Sequence, residues 1–132
     1  MRVLLIDDDP ATTDMLEILI QAYPCTVIAA NCGEDALALA RSEKPDLIIQ
    51  DVMMMDMDGL ELCRALRKFT ATPIMMLSAL YTPEMVAKAL DAGADDYLSK
   101  PVPANILFAH MNNLIRRCER QPGELVSASA NI

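Results

Sequence analysis

Val3-Leu4-Leu5-Ile6-Asp7-Asp8-Asp9-Pro10 is four apolar residues, three carboxylates and a proline. The apolar run is too short for a helix and is bounded by acids, so it reads as a strand buried on both faces. Asp9-Pro10 reads as a helix N-cap and the first helical residue: an Asp oxygen accepts an orphan N–H, and Pro has none to satisfy. Ala11, Met15, Ile18, Leu19 and Ala22 follow at helical spacing and mark the expected inner face. Strand, acidic turn, helix is the unit to look for in the rest of the chain.

The unit recurs four times. Tyr23-Pro24 closes the first helix, and residues 25–30 form a second strand. Asn31-Cys32-Gly33-Glu34 opens a second helix with Ala36, Leu37 and Ala40 on one face. Residues 46–50 are a third strand ending at Asp51, and residues 53–59 a loop before a third helix marked by Leu60, Cys63 and Leu66. Residues 73–77 are a fourth strand. Thr82-Pro83 caps a fourth helix, with Met85, Val86, Ala89 and Leu90 expected inward and Gly93 as its stop. Residues 96–98 make a short fifth strand. The last helix starts near Pro103, carries Ile106, Leu107, Met111, Leu114 and Ile115, and runs to about Cys118. Strands that are continuous apolar runs, each followed by a helix, predict a doubly wound parallel sheet with right-handed crossovers.

The chain has 132 residues, 53% of them hydrophobic and 23% charged, enough for one domain with a real core. Its net charge of −8 opposes a non-specific grip on nucleic-acid phosphates or on an anionic membrane. No segment approaches the ~18–20 apolar residues of a membrane span, and the short apolar run at the N-terminus does not read as a signal peptide, so a cytoplasmic location is expected. Cys25, Cys32, Cys63 and Cys118 are scattered, without a CxxC, and His110 is the only histidine; neither a zinc site nor a disulfide framework is expected. Residues 1–118 read as the folded unit. Residues 119–132, with Gln121-Pro122-Gly123 near their start, read as a tail or the beginning of a linker to something outside this chain.

In an open α/β sheet the chemistry gathers beyond the carboxyl ends of the strands. There the sequence places Asp7, Asp8 and Asp9 after strand one, Asp51 after strand three, Ser78 after strand four and Lys100 after strand five. Converging carboxylates repel unless a cation sits among them. Oxygen donors without Cys or His select a hard ion such as Mg²⁺. A hard cation, a lysine, a hydroxyl and a spare carboxylate are equipment for phosphoryl transfer, with the carboxylate as nucleophile. No Gly-rich phosphate loop is present, so a cradled nucleotide is not expected.

These residues resemble the receiver domain of bacterial two-component response regulators. The likeness is carried by Leu4 to Pro10, by Asp51-Val52-Met53-Met54-Met55-Asp56-Met57-Asp58-Gly59, by Pro73 to Ala79 and by Gly93 to Pro101, and it covers residues 2–117. It implies a CheY-like five-stranded sheet in the order 2-1-3-4-5 with five helices. It implies Asp51 as phosphoacceptor, and Asp8 as direct Mg²⁺ ligand, Asp7 acting beside it through water and the Met53 backbone carbonyl completing the protein ligands. Ser78 is the implied switch hydroxyl, Lys100 the phosphoryl-pairing lysine, Tyr97 the aromatic that turns inward on activation, and Lys100–Pro101 a cis bond. The implied partner is a sensor histidine kinase. The implied role is a switch that regulates transcription through its effector domain rather than a turnover enzyme.

Two positions depart from the family pattern. Met55 stands where the receiver family usually has Pro. His110 and Asn112 stand where the winged-helix, OmpR-like class usually has basic residues that pair across a dimer, which would leave Asp95 and Asp96 without their charge complement. The expectation is therefore a monomer before phosphorylation and a weak or different homodimer after it. A haloacid-dehalogenase-like phosphatase using Asp7 and Asp9 is the rival reading, but Ala11 stands where that motif wants Thr and Asp51 would have no purpose. A flavin carrier of the same fold is disfavoured because three acids repel a phosphate.

Overall fold

The computed structural model describes residues 1–119. Five strands alternate with five helices: β1 Arg2–Ile6, α1 Pro10–Ile20, β2 Thr26–Ala30, α2 Gly33–Glu43, β3 Leu47–Gln50, α3 Gly59–Arg67, β4 Ile74–Ser78, α4 Pro83–Ala92, β5 Asp96–Ser99 and α5 Ala104–Glu119. All strand pairs are parallel, in the order β2-β1-β3-β4-β5. The expected fold is found, with boundaries moved by one or two residues. Ser78 ends β4 instead of following it, and Glu119 still belongs to α5. The rest of the expected tail, residues 120–132, lies outside the described residues.

Alternate side chains of each strand enter two separate cores. Leu4, Ile6, Ile48, Ile74 and Met76 pack with buried residues of α2, α3 and α4. Val3, Leu5, Leu47, Ile49, Met75 and Leu77 pack with Leu16 and Ile20 of α1 and with Leu107, Met111 and Leu114 of α5. A sheet clothed on both faces explains why its strands carry no polar alternation. The helix signals act as expected. Asp9, Asp58 and Thr82 accept backbone N–H groups at the starts of α1, α3 and α4, and Gly93 ends α4 in the left-handed region at φ 117°.

Three expectations about helix faces are corrected. The inner face of α1 is Thr13, Leu16 and Ile20; Met15 and Ile18 are 62% and 70% exposed, and Ala11 and Ala22 are exposed as well. The helix carries two overlapping apolar stripes. The sheet takes the one containing Thr13, whose hydroxyl donates to Pro10 O at 3.0 Å and so tolerates burial. Leu90 of α4 and Ile106 of α5 are also outside, at the margins of faces led by Ala89 and Leu107.

The loop between β3 and α3 closes tightly. Gly59 N donates to Val52 O at 2.8 Å, and the buried Gln50 side chain donates through Nε2 to Gly59 O at 3.0 Å. A Cβ on Gly59 would lie 2.5 Å from Asp51 O, Val52 Cα and Val52 O, all backbone atoms that cannot rotate away. Gly59→Ala is therefore expected to cost at least the ~1–3 kcal/mol of an overpacked core, read as a lower urea midpoint. An unchanged midpoint would show that the loop opens without cost.

Candidate functional site

The register of the sheet builds the site. Ile6 of β1 pairs with Gln50 of β3, so the next residues, Asp7 and Asp51, emerge side by side. Asp51 N donates to Ile6 O at 3.0 Å and Asp7 N to Ala30 O at 3.2 Å, so the ladder extends one step past the strand ends. On the other flank Ser78 pairs with Ser99, and Lys100 N donates to Ser78 O at 2.9 Å. The lysine side chain crosses to the acids. Its Nζ donates to Asp7 Oδ2 at 2.7 Å and to Asp51 Oδ2 at 3.1 Å. Lys100–Pro101 is the cis bond expected.

These charges are held away from water. Asp7 is 3% exposed, and its burial raises its pKa against the lowering effect of Lys100 and of the Asp9 N–H, which donates to Asp7 Oδ1 at 3.0 Å. Burial acts on Lys100 in the opposite sense, but the two carboxylates outweigh it and hold the ammonium above its ordinary 10.5. The lysine is thus a permanent counter-ion. Without it, two neighbouring carboxylates would be left with no cation at the strand ends.

Asp8 and Asp51 also grip the loop that follows β3. Met53 N donates to Asp51 Oδ1 at 3.2 Å, and Met55 N donates to Asp8 Oδ2 at 3.1 Å. An isolated antiparallel bridge between Met53 and Asp58 closes that loop. A cleft of about 840 Å³ opens beside it, lined by Asp8, Met53, Met55, Leu80, Met85 and Lys88 among others. Asp9 stays outside the cluster. It is exposed, and its carboxylate accepts Ala11 N at 3.0 Å as the cap of α1.

The carboxylates of Asp7, Asp8 and Asp51 at this edge offer oxygen donors, the kind a hard divalent cation takes. Among the described residues no three His, Cys, Asp or Glu side chains form a ready-made cage. Mg²⁺ does not require one, because it is held by one or two carboxylates and keeps several waters. The arrangement explains the lack of a cage, since Asp7 and Asp51 converge on Lys100 and Asp8 turns to the loop.

Ser78 and Tyr97 meet at Leu80. Leu80 N donates to Ser78 Oγ at 3.2 Å, and the Tyr97 hydroxyl donates to Leu80 O. Tyr97 is buried, with its ring edge-on to Tyr81 at 5.6 Å, so the aromatic lies inward in this structure. Burial raises the Tyr97 phenol, opposed by hydrogen bonding with Ser78 and reinforced by the charge of Asp51.

Sequence reading missed several supports. Asp56 Oδ2 accepts Gly33 N at 2.7 Å and ties the loop to the start of α2. Gln50 pins Gly59, and a polar side chain closing an apolar strand was the available signal. Asp95 and Asp96 have partners within the chain. Arg67 Nη2 lies 2.7 Å from Asp95 Oδ2, and His110 Nδ1 lies 2.5 Å from Asp96 Oδ2. These pairs join residues 28 and 14 positions apart, beyond what spacing reveals.

Residues 3–112 match the family described as the response regulator receiver domain. The chain is 40% identical over 125 residues to the transcriptional regulatory protein AfsQ1 of Streptomyces coelicolor, covering 95% of this chain and 56% of that protein. It is 36% identical to the DNA-binding response regulator MtrA of Mycolicibacterium smegmatis, covering 96% and 55% respectively. The chain therefore spans about half the length of the curated relatives it matches. Among solved structures, a two-component response regulator from Clostridium difficile superposes with a TM-score of 0.85 at 31% identity, over 89% of this chain and 97% of the other. The BeF3-activated N-terminal receiver domain of Klebsiella pneumoniae RstA superposes at 0.84 with 29% identity, over 88% and 99%.

Tyr97 supplies a test of this packing. Because its folded pKa is raised above 10.0, the stability linked to the neutral phenol is intact below pH 10 and is lost as pH climbs through the folded value. The difference in phenolate absorbance between wild type and Tyr97→Phe is expected to have its midpoint above pH 10. A midpoint below 10 would place the phenol in water.

Proposed function

The chain belongs to the response regulator receiver family, and from that premise we propose that Asp51 accepts a phosphoryl group from a sensor histidine kinase and that the new charge changes the domain's partner preference. A receiver of this family is a signalling switch rather than a turnover enzyme. The observation that carries the assignment is the convergence of Asp7, Asp51 and Lys100 from three different strand ends within hydrogen-bond distance.

In the proposed reaction an Asp51 carboxylate oxygen attacks phosphorus in line. The new O–P bond forms as the P–N bond of phosphohistidine breaks, and the imidazole leaves with that electron pair. Lys100 already lies against the Asp51 oxygen and meets the developing negative charge without reorganisation. Asp7, Asp8, Asp51 and the Met53 backbone carbonyl would hold Mg²⁺, which when bound supplies charge neutralisation at the transferring group. Asp7 keeps Lys100 oriented while Asp51 is consumed as an acyl phosphate.

The switch is proposed to run through Leu80. Ser78 holds the Leu80 N–H and Tyr97 the Leu80 carbonyl, so a phosphoryl oxygen that draws Ser78 toward Asp51 disturbs both contacts. The face of α4, β5 and α5 then shifts between two packings. The output is transcriptional regulation through an effector domain beyond this chain, in keeping with relatives almost twice as long. Residues 1–118 act as the receiver and the remainder as tail or linker, in the cytoplasm, without direct contact to nucleic acid or membrane. Among the described residues no helix is long and apolar enough to cross a membrane. Before phosphorylation the domain is a monomer, since His110 engages Asp96 within its own chain and so occupies a charge of the usual homodimer face. The phosphatase alternative loses its second acid, because Asp9 caps α1.

Incubated with Mg²⁺ and a small phosphodonor, the wild-type chain is expected to gain one phosphoryl group by intact mass, and Asp51→Asn none. The same mass gain on Asp51→Asn would overturn the assignment of the acceptor.

A further inference from the structure

The Met55 amide occupies a position where Pro, the usual residue of this family, has nothing to donate. Its N–H reaches Asp8 Oδ2 at 3.1 Å, the one hydrogen bond between that loop segment and the acidic turn after β1 among those described. The Met55 side chain is 94% exposed and contributes no packing that would hold it there. What holds the amide is the loop itself. Asp56 is tied to Gly33 N, Asp58 caps α3 through Leu60 N at 2.8 Å, and Met53 bridges Asp58. The donor is therefore fixed by its neighbours on both sides and aimed at a carboxylate.

We infer that the Met55 backbone N–H is a built-in competitor for the divalent cation, occupying an Asp8 oxygen and lowering this receiver's affinity for Mg²⁺. The inference rests on the reading of Asp8 as a metal ligand. A hydrogen bond to a carboxylate is charge-assisted, and the oxygen that accepts it must give up part of that interaction to serve a cation. A second acidic residue shows the same habit: Asp51 Oδ1 accepts Met53 N at 3.2 Å. That bond is available to any residue at position 53 with an N–H, whereas the bond at position 55 exists only because Pro is absent. Met55 is thus a positioning residue, acting through Asp8 and through its backbone alone.

The test is calorimetric titration of the whole chain with MgCl2 at fixed pH and ionic strength. Three variants separate the causes. Met55→Leu keeps the N–H, Met55→Pro removes it and stiffens the loop, and an α-hydroxy acid at position 55 replaces the amide by an ester and removes the N–H without adding a ring. Mg²⁺ dissociation constants are expected to be unchanged in Met55→Leu and to fall roughly tenfold in both the proline and the ester variants, the order of one charge-assisted bond. In the wild type, the Met55 amide proton resonance is expected to move upfield as Mg²⁺ is added and the bond is released. Tighter binding in the proline variant with no change in the ester would assign the effect to loop rigidity and overturn the inference. Weaker binding in the ester would overturn it too, by showing that the amide presents Asp8 to the ion. So would an effect of Met55→Leu equal to that of proline. Asp8→Asn keeps the two readings apart: if it leaves Mg²⁺ affinity unchanged, the metal-site reading itself fails, whereas its loss with inert position-55 variants removes this inference alone.

Discussion

The Lys100 ammonium between Asp7 and Asp51 is the interaction on which the rest of the site depends. Two carboxylates at adjacent strand ends repel, and one of them is almost fully buried. A cation fixed between them offsets that repulsion. The lysine arrives from the far side of β4, so the arrangement exists only when β1, β3, β4 and β5 are all in register. Fold and chemistry are coupled through that single residue, and a slip of one position in β5 would reverse the direction of its side chain.

The loop from Asp51 to Gly59 is the second constraint. It leaves β3 at Asp51 and returns at once to Asp58, the cap of α3. Gly59 allows the return because a Cβ would strike backbone, and Gln50 fastens it from inside the sheet. The exposed side chains of Met53 and Met55 leave the work to main-chain amides, which bind Asp51 and Asp8. Charge at the strand ends and the shape of this loop are therefore one system, and a residue change in the loop reaches the acids through the backbone.

Around the site the structure uses ion pairs for orientation. Arg67 donates to Gly93 O, Thr72 O and Asp95 Oδ2, and so binds the end of α3 to the ends of α4 and of the loop entering β4. His110 joins α5 to β5 through Asp96. Such partly exposed pairs stabilise little individually. Their effect is to join elements that are far apart in sequence.

Much of this was readable in the chain. Apolar runs ending in acids, a proline after a capping residue and a glycine after a helix are local features, and their physics needs no tertiary contact. They determined the order of elements, the parallel sheet and the list of strand-end residues from Asp7 to Lys100. Tertiary structure decided which of two apolar stripes α1 buries, because a threonine can enter a core once its hydroxyl is satisfied and hydropathy does not register that. It decided that Asp8 faces the loop, since neighbouring acids differ only in where the backbone points them. It also decided the partners of Asp56, Asp95 and Asp96. Those bonds join residues far apart in sequence, and sequence pattern carries periodicity along one element but no distance between two.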